Sequence, residues 1–167
     1  MSEKEKMNAV TIRLVDAPSF KLREGNPKNM EDAIRAVADE LRLWDREVFG
    51  VLNLSGKGDV INFNIVSIGD ISTATVHPRE AFKGALLSNA AKTIVFHNHP
   101  SGDYTPSWDD LNASKRLIAV GDILGIEVLD HIIVAGGTGD YLSLQGEDYV
   151  NFSNHSKFFD VDEEFEI

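Results

Sequence analysis

The stretch TIVFHNHPSGDYTPSWDD, residues 93–110, constrains the fold of this chain more than any other. The β-branched and aromatic run KTIVFH, 92–97, reads as a short buried strand. Pro100 and Gly102 then force a turn. Ser107, after Pro106 and ahead of an apolar-periodic segment, reads as a helix N-cap. If the strand continues to His99, His97 and His99 project from one face, because strand side chains alternate with period two. Counting from Ser107 sets Asp110 at N3, in the first helical turn, and returns a carboxylate toward the strand end that carries the two imidazoles.

Two chemistries fit these residues. Two neutral imidazoles and a carboxylate suit Zn²⁺ and leave a fourth position for water, the feature that separates catalytic from structural zinc. Water bound there loses a proton near neutral pH and becomes a nucleophile. Without a metal, H-x-H is an ordinary strand end, and Asp110 is the partner of Ser107 in a capping box. The full spacing, H-x-H-P followed by S-x-x-D, favours the metal. The tripeptide HNH does not indicate an HNH nuclease, whose letters name residues dispersed through a longer motif. The chain has no cysteine, so disulfides are excluded and a metal must be held by nitrogen and oxygen.

Charge weighs against nucleic acid as a partner. Lys and Arg total 16 against 27 Asp and Glu, a net charge of −11, and no basic run exceeds KR at 115–116. Binders of polyanionic DNA usually present a basic stripe. The opening residues MSEKEKMNAV have no apolar signal core, and no apolar run approaches the roughly 20 residues that span a bilayer. The expectation is a cytoplasmic protein with no membrane partner.

A length of 167 residues fits one domain. Residues 1–26 read as an N-terminal extension with a short strand at 9–15, residues 27–150 as the domain, and residues 151–167 as an acidic tail with interleaved Phe. A helix is predicted from Pro27, with Met30, Ile34, Val37, Ala38, Leu41 and Trp44 on one face. EVFGVLNLS and DVINFNIVSIG flank a Gly-containing turn and predict a hairpin. HPREAFKGALLSNAA predicts a second helix with Phe82, Leu86 and Leu87 on one face. SWDDLNASKRLIAVGDILG predicts a third, stopped by Gly125. IEVLDHIIVAGG and YLSLQ predict another hairpin, with GGTG at 136–139 as its turn rather than a phosphate loop. The fold class that follows is a mixed α/β or α+β arrangement, a sheet flanked by helices.

H-x-H-P followed by S-x-x-D resembles the JAMM metal signature of the MPN/JAB domain. VHPREAF, LSNAA, KRL and GIEVLDHIIV resemble its RadC branch, and the likeness runs from about Pro27 to about Leu144. The resemblance implies an MPN (cytidine-deaminase-like) sheet wrapped by helices, with zinc held by His97, His99 and Asp110. It implies that the Ser107 hydroxyl stabilises the oxyanion of a tetrahedral intermediate. Members of the wider superfamily cut peptide or isopeptide bonds, and the RadC branch was named for DNA repair. There are two departures. The family places a general-base Glu on an early strand, and the register of NFNIVSIGDIS puts Asn64 there, which cannot accept a proton. RadC proteins also carry an N-terminal helix-hairpin-helix region, and 26 residues are too few for it.

Two functions are therefore expected. One is a zinc hydrolase acting on a protein or peptide, with the missing Glu replaced by a carboxylate from elsewhere, Glu80 the nearest candidate, or by substrate. The other is a non-catalytic, metal-stabilised binding module, which Asn64 favours. Oligomeric state is not legible. Among the remaining residues, His77 reads as packing at a helix start, and His131 equally as a neighbour of the metal or a core histidine. Arg79 and Glu80 read as a local pair or as orienting the site. His155 reads as solvated, and Trp108 as helix-start packing or the wall of a substrate groove.

Overall fold

The two β-rich runs around GKG close on one another as expected: β1 (Val48–Leu54) pairs antiparallel with β2 (Val60–Ile68). The computed structural model describes Leu14, residues 29–69 and residues 76–153. β3 (Lys92–His99) lies on the other side of β1, antiparallel to it. β4 (Glu127–Ala135) runs parallel to β3, and β5 (Tyr141–Ser143) pairs antiparallel with β4. The sheet order is β2-β1-β3-β4-β5.

Every residue of β1 is buried, which requires cover on both faces of the sheet. On one face, Val48, Leu52, Ile94 and Phe96 pack with Ala33, Val37 and Leu41 of α1 (Met30–Leu41). On the other, Phe49, Val51, Val95 and Ile133 pack with two helices. These are α2 (Pro78–Leu87), through Ala81, Phe82 and Ala85, and α3 (Trp108–Leu124), through Leu117 and Ile118. Helices thus cover a mixed sheet on both sides, the expected fold class.

Some details differ from expectation. α1 begins at Met30, because Asn29 caps it by accepting from the Asp32 N–H at 2.9 Å. Ala33 takes an inward position and Met30 stays exposed. In α2 the inward face is Ala81, Phe82, Gly84 and Ala85, while Leu86 and Leu87 are exposed. The reason is close approach: a Cβ added at Gly84 would meet Asn64 Oδ1 of β2 at 2.4 Å. Small residues let this helix lie on the sheet where leucines would hold it off.

The predicted strand at 9–15 (Leu14 apart) and the tail from residue 154, with His155, lie outside the described residues. No helix among the described residues is long and apolar enough to cross a membrane.

Candidate metal centre

Strand alternation carries His97 and His99 to the face of β3 that α2 and α3 cover, at the strand's C-terminal end. The chain then turns. The His99 carbonyl accepts from the N–H groups of Gly102 and Gly136 at 3.0 and 2.9 Å. Gly102, at φ 84°, supplies the left-handed residue that the turn needs. The same turn lets His99 Nδ1 donate to the Asp103 carbonyl at 2.6 Å. A carbonyl can only accept, so His99 keeps Nε2 for the interior of the site.

Ser107 caps α3 as the sequence predicts. Its Oγ accepts from the Asp110 N–H at 3.1 Å, its own N–H donates to Asp110 Oδ2 at 2.7 Å, and its hydroxyl donates to the same oxygen at 2.7 Å. Capping box and three-donor cluster are therefore not alternatives. While Oδ2 closes the box, Oδ1 lies 3.2 Å from His97 Nε2, and Oδ2 is 3.6 Å from His99 Nε2. His97 Nε2 and His99 Nε2 are 2.8 Å apart.

These donors fit a small divalent ion. One nitrogen or oxygen from each of His97, His99 and Asp110 falls within a 4.8 Å group, so the three could hold a metal. Ligands at the bond lengths of tetrahedral zinc sit about 3.3 Å from one another, and His97 Nε2 lies 2.8 Å from His99 Nε2 and 3.2 Å from Asp110 Oδ1, close to that spacing.

Electrostatics at the cluster follow from burial and pairing. Burial opposes the Asp110 charge, yet the close approach of the His97 and His99 rings and the bonds donated by Ser107 hold its carboxyl far below the usual carboxylate range. His99 is raised, first by its pairing with the Asp110 carboxylate, against desolvation, then by the Asp103 carbonyl and the charges of Asp110 and Glu47. His131 is completely enclosed, and desolvation pushes it well below its ordinary value. His97 Nδ1 and His131 Nε2 are 2.8 Å apart, and His131 Nδ1 lies 2.6 Å from Ser114 Oγ. The ring of Phe49 stacks near His97 at 6.4 Å and meets His131 edge-on at 5.9 Å.

Glu47 is a carboxylate near the cluster that sequence reasoning did not single out. β1 is antiparallel to β3 with Phe49 opposite His97, and Glu47 lies two residues before Phe49, its charge among those that raise His99. Asn98, between the two histidines, brackets that position. Its Oδ1 accepts from the Val48 N–H at 2.7 Å, and its Nδ2 donates to the Arg46 carbonyl at 3.1 Å. Asn64, by contrast, sits opposite Val51 at the level of Val95, two residues down the strand from His97. Its Oδ1 accepts from Asn53 Nδ2 at 3.0 Å, and that same group donates to Asn62 at 2.7 Å. The network ties Asn64 to its neighbouring asparagines and not to the histidines.

The remaining candidates lie apart from the cluster's bonds. Glu80 is exposed and paired with Lys83 and Arg79. His77 is exposed, caps α2 without a side-chain bond, and stands 3.3 Å from Arg79 Nη1. Trp108 is 71% exposed at the start of α3, with Lys115 Nζ 5.8 Å from its ring centre.

Residues 27–149 match the model of the RadC-like JAB domain. The chain belongs to this family. It is similar to a UPF0758 protein of Syntrophomonas wolfei, 47% identical over 121 residues, covering 72% of this chain and 51% of that relative. UPF0758 proteins of Caldanaerobacter subterraneus (45% over 122 residues, 73% and 52%) and Clostridioides difficile (46% over 127 residues, 76% and 53%) are similar to it as well. The chain thus spans about half the length of these curated relatives. Every residue of the cluster falls inside the RadC-like JAB match.

Proposed function

We propose that this RadC-like JAB chain is a zinc-dependent hydrolase of peptide or isopeptide-like bonds, with Glu47 as its proton acceptor. The observation that carries the reading is a cluster of two imidazoles and a carboxylate, with half-buried Glu47 two residues before Phe49, the residue opposite His97. His97, His99 and Asp110 would hold the ion, which when bound polarises a carbonyl and lowers the pKa of a water. Glu47 is half-buried and would take the proton of the attacking water and pass it to the leaving amine. The Ser107 hydroxyl would serve the oxyanion by turning away from Asp110 Oδ2, which keeps the Ser107 N–H as a donor. The net charge of −11 argues for a protein or peptide substrate over nucleic acid.

The binding-module alternative rests on Asn64, whose Oδ1 accepts from Asn53 in a network that also takes in Asn62. The test is turnover of a peptide and isopeptide panel under zinc saturation, with metal content measured alongside. Glu47→Gln should keep its zinc and lose on the order of 10²–10⁴ in rate, while Asn64→Asp leaves the rate near that of the parent. Undiminished turnover by Glu47→Gln would remove Glu47 from the mechanism. A zinc-loaded parent inactive across the panel would favour the binding module.

A further inference from the structure

The ring nitrogens of His97 are not equivalent, and a chain of three buried hydrogen bonds sets which one carries the proton. Ser114 Oγ donates to the Asp110 carbonyl at 2.8 Å and lies 2.6 Å from His131 Nδ1, and His131 Nε2 lies 2.8 Å from His97 Nδ1. Ser114, His131 and His97 are all about 1% exposed, so water does not complete these bonds. We infer that Ser114 and His131 are positioning residues that hold His97 in its Nδ1–H tautomer, aiming a bare Nε2 lone pair into the cluster. The inference rests on the reading of His97 as a metal ligand and extends it to residues outside the signature.

The polarity is set from one end. A carbonyl oxygen only accepts, and a serine hydroxyl has one proton. With that proton given to Asp110, Ser114 Oγ must accept, so His131 Nδ1 is the donor. His131 is 1% exposed, packs edge-on against Phe49, and turns its two nitrogens to His97 and Ser114, neither a carboxylate, so a second ring proton would be a buried charge without a counter-ion. Its Nε2 is then bare and takes the proton of His97 Nδ1. His97 Nε2 is left as a lone pair, 2.8 Å from His99 Nε2 and 3.2 Å from Asp110 Oδ1. The reversed chain leaves the Asp110 carbonyl without this donor and turns an N–H of His97 toward the other two ligands. Only one direction suits a metal. Ser114 also joins two of the three ligands, since it bonds the backbone of Asp110 and, through His131, the ring of His97.

The test is a long-range ¹H–¹⁵N correlation spectrum of the histidine rings in metal-free, ¹⁵N-labelled protein at pH 8, paired with zinc affinity by chelator competition. Expected are Nδ1–H signatures for both His97 and His131. Ser114→Ala, which frees the chain to reverse, should weaken zinc binding about 10–100-fold, and Ser114→Thr should restore it. Nε2–H at His131 in the parent would overturn the inference, and that spectrum needs no variant to fold. So would a Ser114→Ala protein with parental zinc affinity. If the parent takes up no zinc the metal reading fails, while the tautomers still decide this one.

Discussion

His99 and Asp110 face one another with opposite perturbations, and the two directions fix how pH acts on the protein. The raised His99 contributes stability that is fully present below its ordinary value, about 6.5, and is lost as pH rises through its higher folded value. The lowered Asp110 contributes stability present above the ordinary carboxylate value and lost only as pH falls through its far lower folded value. The metal-free protein therefore gains from both groups between about pH 4 and 6.5. Zinc works against this trend, because His99 must shed its proton to bind. The rise in thermal midpoint on adding saturating zinc should be small at pH 6 and larger at pH 8, read by scanning calorimetry. A rise that shrinks toward pH 8 would count against His99 as a ligand. At this scale the signature residues were legible because their spacing is local. Glu47 was not, since its meeting with His99 depends on β1 lying beside β3, which no spacing along the chain encodes. Matching NFNIVSIGDIS to a family register picks Asn64, which stands at the level of Val95, two positions from His97.

The helices show why an element can be foreseen and its orientation missed. Pro78 and Gly125 punctuate α2 and α3 where the sequence predicts. The inward face of α2 was misjudged because counting bulky apolar residues favours Leu86 and Leu87, whereas the distance to β2 is set by what is absent at Gly84. Gly84→Ala should accordingly destabilise the protein by about 1–3 kcal/mol despite its better helix propensity. Leu86→Ala, at 55% exposure, should stay within about 0.5 kcal/mol of the parent. Urea denaturation midpoints of the two variants check this. Equal midpoints would mean that α2 packs through its leucines after all.

On the scale of the whole molecule, a sheet covered on both faces followed from the alternation of β-rich runs with capped amphipathic helices. The order of strands did not, nor did the parallel pairing of β3 and β4, since a period-two pattern names no neighbour. An excess of 11 negative charges leads us to expect no salt-sensitive DNA binding near physiological ionic strength. Tight binding in a fluorescence-anisotropy titration that weakens steeply with added salt would contradict this. The last three residues of β3 carry a further consequence. His97 and His99 look one way and Asn98 the other, and each side is in use: donors on one, the bracket around Glu47 on the other. A one-residue insertion upstream in β3 would exchange the two sides at once. It would aim the carboxamide at Asp110 and both imidazoles at the Arg46–Val48 backbone. The same insertion in the turn at 55–59 would leave that arrangement whole, so tolerance to length change along this chain should be lowest where the strand ends.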